Sequence, residues 1–298
     1  MTNELVQKIC DKYLKSNFLN VKLGPKLSEF ANTFAVRGDG NGYILKLITN
    51  YNAVSIIEHT KEHISALISI SQCVNNMDKV RTISVTDFKI QNDHALFLIR
   101  KEHLKKLKIH SFKDFKSFGK SISNFHNACS SIKMQKLPWN NFPDHFRKTL
   151  KQYRRWDEVL VFLRQFREPV IRNSEVNCHN DIHAGNVFLS KGKVIFLDID
   201  DMCATTYFND LGMVIANFID SNFTSSKILK CIRSLLTGYG VNPQPQAILN
   251  TLIFALRKLY FTEAYYLYRH EKKGTSVLFV NELQRRQKLI KDIMIDYL

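Results

Sequence analysis

The sequence predicts an α+β chain of two lobes, a small strand-rich lobe followed by a larger, mainly helical one. Three observations predict it. Short apolar runs separated by turn residues dominate the first hundred positions. Helical spacing takes over after Ile99. Two short apolar strands, Val187-Phe-Leu189 and Val194-Ile-Phe-Leu197, then interrupt the helical part around a Lys-Gly-Lys turn. The lobes are expected to span residues 1–99 and 100–298.

The elements follow in order. Val21 to Pro25 reads as a short strand. Phe30 to Arg37 and Tyr43 to Thr49 read as two strands of a hairpin. Between them, Asp39-Gly40 and Asn41-Gly42 supply the positive φ that tight turns require. Val54 to Ile70 reads as a helix, with Ile57, Ile64, Leu67 and Ile68 near one face. Thr82 to Phe88 and Ala95 to Ile99 read as further strands. Phe112 to Ala128 has helical spacing at Phe115, Phe118, Ile122 and Phe125, and Phe142 to Phe166 reads as another helical stretch. Val176 to Cys178 is strand-like, and from Leu211 the pattern is helical to the end.

Composition narrows the class. The 298 residues carry 43 Lys plus Arg against 27 Asp plus Glu, a formal charge of +16, and 45% are hydrophobic. That is a folded chain long enough for a sizeable core. No apolar run reaches the ~20 residues of a membrane-spanning helix. The charged start, MTNELVQKICDKYL, lacks a signal peptide's apolar stretch. None of the six cysteines forms a C-x-x-C pair, which argues against a zinc cluster and for reduced thiols. A cytoplasmic protein is expected. The excess of basic residues would suit an anionic partner, but these residues are scattered over surfaces; the densest run is Arg100 to His110, RKEHLKKLKIH. Recognisable nucleic-acid-binding motifs are lacking.

The chemistry is concentrated in Cys178 to Asp210, CHNDIHAGNVFLSKGKVIFLDIDDMCATTYFND. Phosphoryl transfer needs a carboxylate beside the attacking hydroxyl, oxygen ligands for magnesium and a cation on the phosphates. Asp181, Asn186 five residues later, and Asp198 at the end of an apolar strand provide three such oxygen donors. Asp181 would accept or orient the substrate hydroxyl, and Asn186 and Asp198 would bind the metal. Asp200 is a further metal candidate; together with Asp201 it reads equally as solvent-facing. His179 would brace the loop. Each residue alone reads as a turn cap or strand end; their joint order reads as a site. Lys46, inside the apolar run Ile44-Leu-Lys-Leu-Ile48, would be costly to bury unpaired and suits the α- and β-phosphates of ATP.

His179-Asn-Asp181-Ile-His183-Ala-Gly-Asn186, then Leu197-Asp198-Ile-Asp200-Asp201, then Asn209-Asp210-Leu211-Gly212, resembles the aminoglycoside phosphotransferase and choline kinase-like family. Within it the pattern is nearest to bacterial stress-response protein kinases and spectinomycin-type phosphotransferases. The resemblance is sharp over residues 176–215. It implies a variant of the protein kinase fold and an ATP- (or GTP-) and Mg2+-dependent transfer of phosphate to an alcohol. It favours Glu62 over Glu58 as the partner of Lys46, and a bracing role for Asp210. Phe125-His126 resembles a structural pair of the family. There is no G-x-G-x-x-G; by position, the loop over the phosphates would be Ser28 to Asn32, with the Ser28 hydroxyl contributing. Ile99, Arg100 and Lys101 would form the hinge that meets adenine through backbone atoms.

The acceptor stays open between a hydroxyl-bearing small molecule and a protein serine or threonine, with a non-catalytic kinase-like binding protein as a further class. Residues 175–220 hold seven carboxylates and two lysines, a formal −5 against +21 elsewhere. An acidic cleft would receive a cation, whereas the basic remainder would repel a polycation at long range. Trp139, Trp156, Tyr207 and Tyr265 read first as core aromatics.

Overall fold

The structure, a computed structural model, describes residues 3–17, 22–26, 32–38, 41–49, 60–76, 80–82, 85–90, 94–100, 104–136, 142–166, 174–273 and 278–298. Helix α1 (Asn3–Asn17) precedes a five-stranded antiparallel sheet ordered β1-β2-β3-β6-β5. Its strands are β1 (Lys22–Lys26), β2 (Asn32–Gly38), β3 (Asn41–Thr49), β5 (Val85–Ile90) and β6 (His94–Arg100). Alternation along β2 and β3 buries Phe34, Val36, Leu45 and Leu47 on one face, where Cys10, Tyr13 and Leu14 of α1 complete a small core. Lys46 therefore projects from the other face of β3.

Helix α2 (Lys61–Asn75) starts at Thr60, whose hydroxyl caps the His63 amide, and buries Ile64, Leu67, Ile68, Ile70 and Val74. Residues 54–59 of the expected helix, Glu58 among them, lie outside the described residues, as do Ser28, Lys101 and Trp139. The apolar face of α2 joins the larger core, continuous with Phe115, Phe118 and Phe196.

The expected strand Thr82 to Phe88 is two strands. β4 (Val80–Thr82) leaves the five-stranded sheet and pairs in parallel with β10 (Lys193–Phe196). The Thr82 hydroxyl donates to Phe196 O at 2.7 Å, and its amide to Asn75 Oδ1 at 3.2 Å. The run alternates with no Gly or Pro to mark the switch, so periodicity alone reads it as one element. β10 also pairs with β9 (Val187–Ser190), which meets β7 (Lys105–Lys106).

The helical stretch expected over Phe142 to Phe166 is likewise broken, into α4 (Asp144–Gln152) and α5 (Trp156–Gln165). Arg154 adopts φ 55, and the Arg155 amide reaches back to Leu150 O at 2.8 Å. A left-handed residue with such a bond closes a helix in the manner glycine usually marks; arginine there leaves no signal. A two-stranded sheet pairs β8 (Glu175–Cys178) with β11 (Cys203–Thr206), the latter unexpected from the sequence. α6 (Phe208–Phe218), α7 (Ser225–Tyr239), α8 (Pro245–Lys273) and α9 (Leu278–Ile295) complete the chain. Among the described residues, no helix is long and apolar enough to cross a membrane.

Helix α3 (Phe112–Cys129) crosses α7 through two glycines. A Cβ on Gly238 would lie 1.9 Å from Lys116 O, and one on Gly119 2.2 Å from Leu235 O. Backbone, not a flexible side chain, is the obstacle. Alanine has the better intrinsic helix propensity, by about 1 kcal/mol, yet Gly238→Ala is expected to destabilise the protein by about 1–3 kcal/mol. Urea denaturation reads the sign, and a stabilised variant would refute the close crossing.

Candidate active site

The loop after β8 is fixed from below by one carboxylate. Asp210, fully buried in the first turn of α6, accepts the amides of His179 at 2.7 Å and Asn180 at 2.9 Å. Its Oδ2 also accepts from His126 Nε2 on α3 at 2.9 Å, and His126 Nδ1 lies 2.8 Å from the Tyr239 hydroxyl. Burial alone would raise the Asp210 carboxyl; the bonds from His126 and the Asn180 amide outweigh it and hold the group below its ordinary value. Asn180 takes φ 64, a left-handed value that asparagine tolerates, and its side chain accepts from Asn209 at 2.9 Å. Cys178 lies against this cluster with its thiol pushed well up by burial. His126, Cys178 and Asp210 group their ligand atoms within 4.8 Å. A neutral thiol and a carboxylate already taken by three donors make a brace rather than a metal centre.

His179 is packed between Phe125 and Phe196. Its Nε2 donates to Leu197 O at 2.6 Å, while Nδ1 accepts the Asp181 amide at 3.2 Å. One imidazole thus joins the loop to the segment that ends β10. A second tie runs from the Leu197 amide to Asn186 O at 2.8 Å. Asn186 and the residue before Asp198 are therefore locked together, although eleven positions apart in sequence.

Asp181 is held on both oxygens. Asn186 Nδ2 donates to Oδ2 at 2.8 Å, and His183 Nε2 lies 3.3 Å from the same oxygen. Lys258, from α8, donates to Oδ1 at 3.1 Å. Burial would raise this carboxyl, but the Lys258 ammonium and His183 overcome that and hold it well below the usual carboxylate range. It is an anion ready to accept a hydroxyl proton in a hydrogen bond.

Across the site, Lys46 reaches from β3 to two carboxylates. It bonds Asp198 Oδ1 and lies 2.6 Å from Asp200 Oδ2. Burial would lower the lysine, but Asp198 and Asp200 raise it further, so the ammonium stays charged. The charge of Lys46 in turn keeps the Asp198 carboxyl below its ordinary value. Asp198 itself takes φ 58, before the 3₁₀ turn Ile199–Asp201. That turn is docked to α2 through His63 Nε2, 2.9 Å from Asp200 O.

The structure thus gathers Lys46, Asp198 and Asp200 into one cluster, and Asp181 and Asn186 into another. Glu62 sits exposed in the first turn of α2, and among the described residues Lys46 pairs with Asp198 and Asp200. Ile99 is buried near the end of β6, with Arg100 the strand's last residue, paired with Tyr43. Trp156, Tyr207 and Tyr265 are partly buried against the main core. All six cysteines are unpaired thiols. In chemistry, Asn186, Asp198 and Asp200 each offer a hard oxygen donor of the kind a divalent cation takes. The Asn186 amide fits that use because its nitrogen is spent on Asp181, which leaves its oxygen for a metal.

Sequence reasoning missed Lys258 and His63. For Lys258 a signal existed: Arg257-Lys258 interrupts an apolar helical run, Leu252 to Phe261, as Lys46 interrupts its strand. His63 offered none.

The model of the phosphotransferase enzyme family matches residues 132–244, which contain Asp181, Asn186, Asp198, Asp200 and Asp210. No curated protein matches the chain. Among solved structures, amicoumacin kinase hAmiN, in complex with AMP-PNP, Ca2+ and its ligand, is similar with a TM-score of 0.69 at 15% identity; the match covers 98% of this chain and 96% of that one. Choline kinase LicA from Streptococcus pneumoniae is similar at a TM-score of 0.66 and 14% identity, covering 97% and 99%. Spectinomycin phosphotransferase APH(9)-Ia, with ADP and spectinomycin, follows at 0.62 and 13%, covering 98% of both. At these identities the likeness is one of fold. The phosphotransferase enzyme family model thus matches residues 132–244 of the 298, set within a two-lobed fold like that of these kinases.

Proposed function

We propose that the protein is an ATP- and Mg2+-dependent phosphotransferase that moves the γ-phosphate to a hydroxyl of a small molecule. The observation that carries this reading is the pairing of Lys46 with Asp198 and Asp200 beside an ionised Asp181 held by Asn186. In this reading residues 1–99 form the nucleotide lobe and 100–298 the catalytic and substrate lobe. Lys46, positioned with Glu62, holds the α- and β-phosphates; Ser28 covers them, and Ile99 to Lys101 meet adenine. Asn186, Asp198 and Asp200 would hold magnesium, which offsets the negative charge of the phosphates when bound. Asp181 orients the acceptor hydroxyl and takes its proton as the new bond to phosphorus forms. Lys46 exchanges its carboxylate partners for phosphate oxygens as nucleotide enters.

The test is transfer from labelled ATP to a panel of hydroxylated metabolites and antibiotics, with a protein extract run alongside. Metal-dependent transfer to a small molecule is expected. Asp198→Ala should lower it by about 10³-fold, because an oxygen ligand and the charge partner of Lys46 go together. Full metal-dependent activity in Asp198→Ala would sink the assignment, and labelling confined to protein bands would replace the acceptor class.

A further inference from the structure

The contact between Lys258 and Asp181 lies outside the loop and strand that carry the motif. Lys258 belongs to α8, a 29-residue helix. The rotation of α8 is fixed five residues further on, about 140° round the helix, where fully buried Glu263 accepts from Arg155 at 2.9 Å and from Gln284 and Gln287 at 2.7 Å. The Lys258 side chain is 13% exposed, and its Nζ lies 5.7 Å from the centre of the Phe261 ring. Its ammonium is thus delivered to Asp181 by a buried, anchored element rather than by a mobile surface chain.

We propose that Lys258 is a further catalytic residue, whose ammonium holds Asp181 Oδ1 and bonds the phosphoryl group during transfer. The proposal rests on the phosphotransferase reading above. Asn186 and His183 attend Oδ2, while Lys258 attends Oδ1, 3.1 Å away. An acceptor hydroxyl that donates to Oδ1 sits about 2.7 Å from it. At ordinary hydrogen-bond angles that oxygen then lies roughly 4–5 Å from Nζ, and an acceptor that approaches from the Lys258 side brings the phosphoryl oxygens to the ammonium. An ammonium has three donors, and Asp181 uses one. As the acceptor oxygen bonds phosphorus, the bond from γ-phosphorus to the β,γ-bridging oxygen breaks and ADP departs with that electron pair. The hydroxyl proton passes to Asp181. Negative charge spread over the equatorial oxygens is what a fixed cation stabilises. Lys46 serves the phosphates from the strand side, and Lys258 serves the group in flight from the helix side.

The alternative is a tether that acts only by holding Asp181. Calorimetry separates the two, using MgADP with and without aluminium fluoride, a mimic of the transferred phosphoryl group. In wild type, fluoride is expected to tighten MgADP binding. Lys258→Met, which keeps the apolar stem, should lose at least about tenfold of that tightening, with MgADP affinity unchanged within about twofold; Lys258→Arg should recover most of the loss. The same loss should appear when Lys258→Met is combined with Asp181→Asn, because a direct contact does not act through Asp181. Unaltered tightening in Lys258→Met, a loss that vanishes in the Asp181→Asn background, or a wild type that fluoride does not tighten would each overturn the role while nucleotide binding stands. A wild type that fails to bind MgADP would overturn the phosphotransferase reading and this role together. Circular dichroism confirms that each variant is folded.

Discussion

Asp181→Asn is expected to lower phosphoryl transfer by about 10³-fold while AMP-PNP binds within a few-fold of wild type. The substitution keeps the size of the side chain and its place in the loop, because the Asp181 amide stays bonded to His179 and its carbonyl still accepts from Asn186. What changes is the acceptor. An amide oxygen cannot take the hydroxyl proton, and an amide nitrogen turned towards the hydroxyl or towards Lys258 sets donor against donor. In the proposed function the nucleotide is gripped elsewhere, by Lys46, so binding and chemistry should separate. Removal of the carboxylate also leaves the Lys258 ammonium without the partner that it has at 3.1 Å. Phosphates should therefore bind no more weakly, and slightly more tightly at low ionic strength. A coupled assay with calorimetry on the same preparations measures both quantities. Retention of more than about a tenth of the wild-type rate would remove Asp181 from the reaction.

How much was legible depended on how local each signal is. Asp181, Asn186, Asp198 and Asp200 lie within twenty residues, and the hairpin of β9 and β10 that brings them together is written in two short apolar runs around Lys-Gly-Lys. β2, β3 and β6 are short apolar runs beside turn residues and were readable for the same reason. Long-range packing was not. Nothing near Val80 says that it pairs with Val194 rather than continuing into Val85. Nothing near Arg154 announces a left-handed break, since the usual glycine is absent. Cys203–Thr206 is strand because β8 lies beside it, and β8 is 25 residues earlier. The carboxylates bonded to Lys46 are a similar case, for they come from 152 and 154 positions away. Lys258 reaches Asp181 across 77 positions.

Asp210→Asn should be the most damaging substitution that leaves every expected substrate contact intact. The carboxylate lies fully buried and accepts from two loop amides and from His126. An amide of the same shape leaves no cavity, but its nitrogen must face one of those donors, and the charge that strengthens the remaining bonds is gone. A loss of about 3–5 kcal/mol is expected, the cost of breaking a buried charged network from one side. It should appear as a fall of roughly 10 °C in thermal midpoint. The pH dependence carries its own sign. Asp210 titrates below its ordinary value of 3.8 in the folded protein, so near and below that value the unfolded chain binds more protons. The stabilisation from the carboxylate is then complete above the ordinary value and drains away as pH falls through the folded one. The gap in stability between wild type and Asp210→Asn should therefore be widest near neutrality and narrow as the solution is acidified past about pH 4. Denaturation at a series of pH values tests this, and a gap independent of pH would mean that Asp210 braces the loop by shape alone. Because the same carboxylate holds His179 and Asn180, the residues immediately before Asp181, the variant should lose turnover even at temperatures where it remains folded. A rise in kcat towards the wild-type value with added stabilising osmolyte would reverse that conclusion.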